Sequence, residues 1–159
     1  MKNNILAKKL IKQLIKKKTT ISTAESCTGG LISSLLTSIP GSSKAFDLGI
    51  IVYSIRTKIE NLKVSKKTIK KFGAVSLETC VSMVENLNKI SQSKINVAVT
   101  GIAGPDGGTK KKPVGLVYIG IKKNNKISVT KYLFKNKGRT YIQKAAVNKS
   151  LGLVLRLFK

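Results

Sequence analysis

The chain has 159 residues, of which 42% are hydrophobic and only 5% aromatic, and its 31 basic and six acidic side chains give a formal net charge of +25. It has no histidine and only two cysteines, so Ser–His–Asp and Cys–His mechanisms are excluded and a transition-metal site would have few ligands. No apolar stretch reaches the ~20 residues of a membrane span, and the basic start lacks the apolar region of a signal peptide. We expect residues 1–159 to form a single cytoplasmic domain with no cofactor, no metal and no membrane partner.

The high positive charge favours contact with polyanions. Only three of the basic residues are arginine, however, and the lysines are spread along the whole chain without interleaved aromatics. Arginine is the usual reader of guanine edges, and aromatic rings are the usual platforms for bases. The composition therefore predicts non-specific attraction and no specific nucleic-acid site, and compositional drift is the simpler explanation of the charge.

The first elements follow from local patterns. Apolar residues recur at helical spacing over about residues 3–17, which predicts an amphipathic helix that packs on a sheet, although such a helix could also rest on a membrane surface. Residues 19–24 are rich in β-branched side chains and predict the first strand. Residues 30–38 predict a second helix. Leu48–Tyr53 is a continuous apolar run, which is typical of a strand covered on both faces.

Helices dominate the middle of the chain. Ser54 is a candidate N-cap for a helix over residues 55–62. A short basic helix over residues 66–72 is predicted to end at Gly73. Ser76 is placed to cap a longer helix that continues to about residue 90.

The remaining pattern completes a sheet. Ile95–Thr100 predicts the third buried strand. Residues 114–122 and 126–134 flank Asn124-Asn125 and predict a hairpin at one sheet edge, and residues 139–157 predict a last helix. The alternation implies an α/β fold of three layers, α/β/α, with a mixed, mostly parallel sheet and a C-terminal edge hairpin.

A serine lies in the turn between the first strand and the second helix. Ser26 would be exposed there, close to free N–H groups at the helix start that could hold an oxyanion, from Cys27 to Gly30. The alternative is a capping serine in a tight turn. Cys27 is a rival nucleophile, but without a histidine it is better interpreted as a packing residue.

Lys58 follows the second predicted strand and lies about one turn into the predicted helix over residues 55–62. Most lysines are solvated surface charges, and Lys58 could be one of them. To act as a base it must lose its proton near neutral pH, whereas the pKa of a solvated lysine is about 10.4. Burial and neighbouring positive charge would both lower that pKa, and serine–lysine pairs are an established form of nucleophilic catalysis.

A glycine-rich segment, Gly101–Pro113, follows the third strand. Repeated turns can aim several N–H groups at a phosphate, but the segment lacks the Gly-Lys-Ser/Thr ending of a P-loop. A purely structural Ω-loop is the alternative. All three segments come after strands, and ligands of parallel α/β sheets bind beyond the carboxyl ends of strands.

Several motifs together resemble one known family. They are Thr-Ala-Glu-Ser-Cys-Thr-Gly-Gly at 23–30, Val-Tyr-Ser at 52–54, Gly-Ala-Val-Ser at 73–76 and Thr-Gly-Ile-Ala-Gly-Pro-Asp-Gly-Gly-Thr at 100–109 with Lys-Pro-Val-Gly at 112–115. This pattern closely resembles the CinA C-terminal domain family, and the likeness runs in order from about residue 5 to residue 157. Stand-alone members of that family are nicotinamide-nucleotide amidohydrolases.

The resemblance implies a homodimeric Ser/Lys hydrolase that converts nicotinamide mononucleotide to nicotinic acid mononucleotide and ammonia, as part of pyridine nucleotide salvage. It implies Ser26 as nucleophile and Lys58 as base. The residues expected to hold the oxyanion or the substrate are Glu25, Cys27, Thr28, Gly29, Gly30, Tyr53, Thr100, Gly101, Ala103, Gly104, Gly108, Thr109, Lys112 and Arg139.

Two positions depart from the family pattern. Ile55 stands where the family has an asparagine, and Gln143 stands where it has the second of two arginines near the last helix, of which Arg139 is kept. Weaker phosphate binding, a lower catalytic rate or a degenerate copy could follow, although Lys137 or Lys144 could offset part of the lost charge. The alternatives to the amidohydrolase are a non-enzymatic competence or DNA-damage accessory protein and a hydrolase of another nucleotide amide or pyrophosphate.

Overall fold

The computed structural model describes residues 2–159 and contains a five-stranded sheet with the strand order β2-β1-β3-β4-β5. The strands are β1 (Ile21–Glu25), β2 (Phe46–Ile51), β3 (Ile95–Gly101), β4 (Leu116–Lys123) and β5 (Lys126–Leu133). β1 pairs in parallel with β2 and β3, whereas β4 and β5 continue the sheet antiparallel. The mixed sheet and the C-terminal edge hairpin are therefore confirmed.

Within residues 2–159, six α-helices cover the two faces of the sheet. They are α1 (Lys2–Lys16), α2 (Leu31–Thr37), α3 (Ile55–Glu60), α4 (Lys66–Phe72), α5 (Leu77–Ser91) and α6 (Arg139–Arg156). The buried apolar residues of α1, α2 and α6 form one core on one face, and those of α4 and α5 form a second core on the other. The three-layer α/β/α prediction is confirmed. Within the described residues, every helix is too short or too polar to cross a bilayer.

Local sequence signals explain where several helices begin. The Ser54 and Ser76 side chains accept hydrogen bonds from the backbone N–H groups of Thr57 and Thr79, each at 3.1 Å, so both predicted N-caps are confirmed. Gly73 follows α4 with a φ of 83°, a left-handed value that glycine adopts without strain. Observed boundaries differ from the predicted ones by at most two residues, which is normal where helix and strand ends fray.

The expectation that the second strand is covered on both faces is wrong. β2 is the edge strand of the sheet, and Asp47, Gly49 and Ile51 along it are exposed. Leu48 and Ile50 pack against the core under α4 and α5. The prediction failed because Gly49 and Ile51 are exposed although both fit an apolar run. Hydrophobicity alone therefore did not reveal that one face of β2 is open to solvent.

The parallel register brings three strand ends to one place. Glu25, the last residue of β1, is paired with Ile51 of β2 and Val99 of β3. The ladder continues one step further, because Ser26 N–H donates to the Val99 carbonyl at 3.0 Å and Val52 N–H donates to the Glu25 carbonyl at 2.9 Å. The residues after these strands therefore share the carboxyl edge of the sheet, where ligands bind in folds of this class.

Candidate functional site

A cleft of about 240 Å³ opens at this carboxyl edge. Its walls come from the ends of the three parallel strands, the loop before α5 and the start of α6. The lining residues are Ser26, Cys27, Tyr53, Ile55, Lys58, Ala74, Val75, Thr100, Gly101, Ile102, Ala103, Gly104, Asp106, Gly107 and Arg139. This volume is below the ~300–1,000 Å³ of typical ligand pockets, so the cleft can enclose only part of a ligand of nucleotide size.

The Ser26 hydroxyl and the Lys58 amine meet in this cleft. The Lys58 Nζ lies 2.8 Å from the Ser26 Oγ. Both side chains are buried, so the expectation of an exposed Ser26 is wrong. Lys58 lies in the first turn of α3, and the Ser54 N-cap starts this helix three residues after the end of β2. The structure therefore brings together two groups that are 32 residues apart along the chain.

The Lys58 amine is held by two further oxygen atoms. It donates to the Val52 carbonyl at 2.8 Å and to the Tyr53 carbonyl at 3.2 Å. A neutral amine has two N–H groups and one lone pair. Both N–H groups can stay on these carbonyls while the lone pair accepts the proton of the Ser26 hydroxyl, so the arrangement is compatible with a base.

Burial sets the protonation of this pair. Lys58 is only 2% exposed, and desolvation of its charged form lowers its pKa from 10.5 to about 8, with a smaller opposing effect of Cys27. Burial also raises the pKa of the Cys27 thiol to about 12. The thiol is therefore protonated at neutral pH, which favours Ser26 over Cys27 as the nucleophile.

The backbone after Ser26 offers fewer free donors than the sequence suggested. Gly29 N–H donates to the Ser26 carbonyl at 3.0 Å, and Gly30 N–H donates to the Glu25 carboxylate at 3.1 Å. Only the N–H groups of Cys27 and Thr28 lack an acceptor among the described residues. An oxyanion site in this turn is therefore restricted to these two donors.

The Glu25 carboxylate does not face the cleft. It is fully buried and accepts hydrogen bonds from the N–H groups of Gly30, Ile32 and Ser33 and from the Ser33 hydroxyl, at 2.7–3.1 Å. It thus satisfies the free donors at the start of α2. The Thr28 side chain is also buried and does not line the cleft, and its hydroxyl has no hydrogen-bond partner among the described residues.

The glycine-rich loop contributes only its first half to the cleft. Gly101, Ala103 and Gly104 line it, whereas Gly108, Thr109 and Lys112 do not. The Lys112 ammonium instead donates to the carbonyls of Phe72 and Val75, at 2.6 and 2.7 Å. The far half of the loop thus anchors the segment before α5 and does not reach the substrate space.

The start of α6 holds three site segments together. Arg139 donates to the Gly104 carbonyl at 2.9 Å and to the Tyr53 hydroxyl. Gln143, one turn later, donates to the Cys27 carbonyl at 2.9 Å. Arg139 is exposed at the mouth of the cleft, where its remaining donors are available to an anionic group.

Sequence reasoning missed several parts of the cleft wall. Ala74, Val75, Ile102, Asp106 and Gly107 line it without having been singled out for a role. Asp106 and Gly107 lie in the flagged glycine-rich loop, and Ala74 and Val75 lie in the Gly-Ala-Val-Ser motif. The signal was present in both motifs, but an alanine or valine carries no chemistry that marks it.

Comparison with known protein families gives a match over nearly the whole chain. The family model of the CinA C-terminal domain matches residues 3–158. A CinA-like protein of Endomicrobium trichonymphae is 47% identical over 154 residues, which is 97% of this chain and 36% of the relative. A putative competence-damage inducible protein of Thermoanaerobacter pseudethanolicus is 44% identical over 147 residues, 92% of this chain and 35% of the relative. The chain spans about a third of the length of these curated relatives.

Solved structures with the same fold match this chain over nearly the whole length of both proteins. The competence/damage inducible protein CihA from Agrobacterium tumefaciens superposes with a TM-score of 0.97 at 39% identity, and the match covers 100% of this chain and 97% of that one. A competence-damaged protein (CinA) superfamily protein from Escherichia coli gives a TM-score of 0.93 at 26% identity, covering 98% and 90%.

Proposed function

Since this chain belongs to the CinA C-terminal domain family, we propose that it is a nicotinamide mononucleotide amidohydrolase with a Ser/Lys mechanism. The observation that carries the proposal is the buried contact of 2.8 Å between the Ser26 hydroxyl and the Lys58 amine. An amine of lowered pKa beside a serine is one of the known ways to activate a hydroxyl in the absence of histidine.

The first half of the proposed reaction acylates Ser26. The neutral Lys58 amine takes the hydroxyl proton while the Ser26 Oγ attacks the carboxamide carbon of the substrate. The negative charge that develops on the amide oxygen is stabilised by the free N–H groups of Cys27 and Thr28. The Lys58 ammonium then returns its proton to the amide nitrogen, ammonia leaves, and an ester with Ser26 is formed.

The second half hydrolyses this ester. Lys58, neutral again, takes a proton from water, and the water oxygen attacks the ester carbon. The carbon–oxygen bond to Ser26 breaks, the serine recovers a proton from Lys58, and nicotinic acid mononucleotide is released. Arg139 at the mouth of the cleft is the group best placed to hold the phosphate of the nucleotide.

The test is ammonia release from nicotinamide mononucleotide by the wild type, Ser26→Ala and Lys58→Met. Methionine keeps the length of the lysine stem and removes only the amine. We expect each variant to lose at least about 1,000-fold in kcat because each removes a partner of the reacting pair. Ser34→Ala and Lys67→Met, which change exposed residues of the same types on α2 and α4, should keep wild-type rates.

Retention of wild-type turnover by Ser26→Ala or Lys58→Met would remove that residue from the mechanism. A wild type that is inactive on nicotinamide mononucleotide but active on another nucleotide amide or pyrophosphate would leave a hydrolase with a different substrate. Complete inactivity together with salt-resistant DNA binding would instead favour the accessory role, for which the net charge of +25 is the supporting observation.

A further inference from the structure

The side chain of Gln143 reaches from α6 to the turn that carries the nucleophile. Its Nε2 donates to the Cys27 carbonyl at 2.9 Å, across 116 positions of the chain. Gln143 is half-buried and lies one helical turn after Arg139, on the same face of α6. It does not line the cleft, so it is not positioned to touch a substrate.

The bond acts on a single peptide group. The Cys27 carbonyl and the Thr28 N–H belong to the same planar trans peptide, in which the C=O and N–H bonds point in opposite directions. Because Gln143 holds the carbonyl toward α6, the Thr28 N–H is directed away from α6. α3, which carries Lys58, packs on the opposite face of the sheet, where Ile59 contacts the second core.

Gln143 makes the one hydrogen bond to this peptide within the described residues. The Cys27 carbonyl has no other donor among the described residues, and the N–H groups of Cys27 and Thr28 have no acceptor there. A peptide with unpaired groups can rotate, and a rotation would remove a donor from the place where an oxyanion forms. The hydrogen bond from Gln143 opposes that rotation.

We propose that Gln143 is a positioning residue that orients the Cys27–Thr28 peptide for oxyanion stabilisation. The inference rests on the proposed function, since it presumes that Ser26 forms a tetrahedral adduct. It also gives a role to Gln143, which stands where the family has an arginine. A neutral amide performs the orienting bond without adding a positive charge beside the nucleophile turn.

The test uses Gln143→Met, which keeps the length of the side chain and removes the donor, and Gln143→Arg, which retains donors. Gln13→Met on α1 is the matched control, because Gln13 is half-buried like Gln143 and does not line the cleft. Melting temperatures are measured for all variants, so that a general loss of structure is separated from a local effect.

The readout is the dissociation constant of pyridine-3-boronic acid, which carries boron in place of the amide carbon. In this adduct the Ser26 oxygen bonds to boron, the hydroxyl proton passes to the Lys58 amine, and boron becomes a tetrahedral anion. We expect Gln143→Met to weaken binding about 10- to 100-fold and to lower kcat by a similar factor with little change in KM. Gln143→Arg should stay within about threefold of the wild type, and Gln13→Met should match it.

Equal boronate affinity in Gln143→Met and the wild type, at equal melting temperature, would overturn the inference. The inference would also be overturned if Gln143→Arg, which retains donors, lost as much boronate affinity as Gln143→Met. A wild type that binds the boronate but releases no ammonia from nicotinamide mononucleotide would overturn the proposed substrate alone. A wild type that forms no adduct would overturn both the nucleophile and the role of Gln143.

Discussion

At the scale of single residues, the chemistry depends on one amine that burial makes less basic. Lys58 is one of many lysines, but it is 2% exposed and its pKa is lowered to about 8 by desolvation. At pH 7 about a tenth of such an amine is neutral, whereas an amine at 10.5 would be neutral in fewer than about one molecule in a thousand. The location of the side chain, and not its type, therefore makes it a base.

The pH dependence of turnover should report this pKa. Because only the neutral amine can act as the base, kcat/KM should rise about tenfold per pH unit below 8 and level off above it. The measurement covers pH 7 to 9.5, where the substrate phosphate, with a second pKa of about 6, is already at least about nine-tenths ionised. A profile that is flat across this range would show that Lys58 is not the base. A rise in this range could not come from a histidine, because the chain has none.

The same burial should make folding stability depend on pH. The folded-state pKa of Lys58, about 8, lies below the unfolded value of 10.5. The cost of burying the charged amine is therefore fully present below pH 8 and disappears as the pH rises to 10.5, since the unfolded chain binds more protons in that window. The total change is on the order of 3 kcal/mol.

Urea unfolding of the wild type and Lys58→Met at pH 7.5, 9 and 10.5 checks this prediction. The free energy of unfolding of the wild type should rise relative to that of the variant as the pH increases. Taking the difference cancels the titration of the other lysines, which both proteins share. A difference that is constant with pH would contradict the lowered pKa.

At the scale of elements, the turn between β1 and α2 depends on a buried carboxylate. Glu25 accepts four hydrogen bonds from the first residues of α2 and has no basic partner in the described part of the chain. Its negative charge is compensated by backbone and hydroxyl dipoles at the positive end of the helix. The geometry of the nucleophile turn is thus tied to the helix that follows it.

The substitution Glu25→Gln tests this connection. It keeps the side-chain size but turns one acceptor into a donor that faces N–H groups, so we expect a loss of about 2–3 kcal/mol in the free energy of unfolding and a lower kcat. Glu78→Gln is the control, because Glu78 lies in the first turn of α5 at a half-buried position and should cost at most about 1 kcal/mol. Equal losses in the two variants would refute the special role of Glu25.

At the scale of the whole molecule, the net charge of +25 should act on how substrates arrive. A positive surface raises the local concentration of anions, and salt screens this attraction. Nicotinamide mononucleotide carries a net negative charge through its phosphate, whereas nicotinamide riboside lacks the phosphate and is a cation. The two share the reacting amide, so they differ chiefly in the sign of their attraction to the protein.

Raising KCl from about 0.02 M to about 0.3 M should therefore lower kcat/KM for the mononucleotide several-fold and leave it unchanged or raise it for the riboside. Steady-state rates at constant pH check this. A parallel fall for both substrates would indicate a general effect of salt on the protein. The homodimer and the cytoplasmic location, which belong to this scale as well, stay predictions.

Most of the architecture was accessible from the sequence because it depends on local rules. Helical spacing, the serine caps at Ser54 and Ser76, and the hairpin around Asn124 each reflect forces between neighbours along the chain. The position of the motifs at strand ends also followed, since parallel strands place their carboxyl ends at one edge. The error on β2 arose because an edge position depends on which strands pair, and the apolar run carries no information about that.

The amino-acid sequence by itself determined the layers of the fold, the edge that carries the cleft and the residue types available there. Only the tertiary structure decided that Lys58 is desolvated against Ser26 and that Glu25 and Lys112 serve the framework instead of the cleft. The physical reason is range. Helix periodicity and capping act over a few residues, whereas burial, pKa and hydrogen-bond partners are set by groups that the fold brings together from distant parts of the chain.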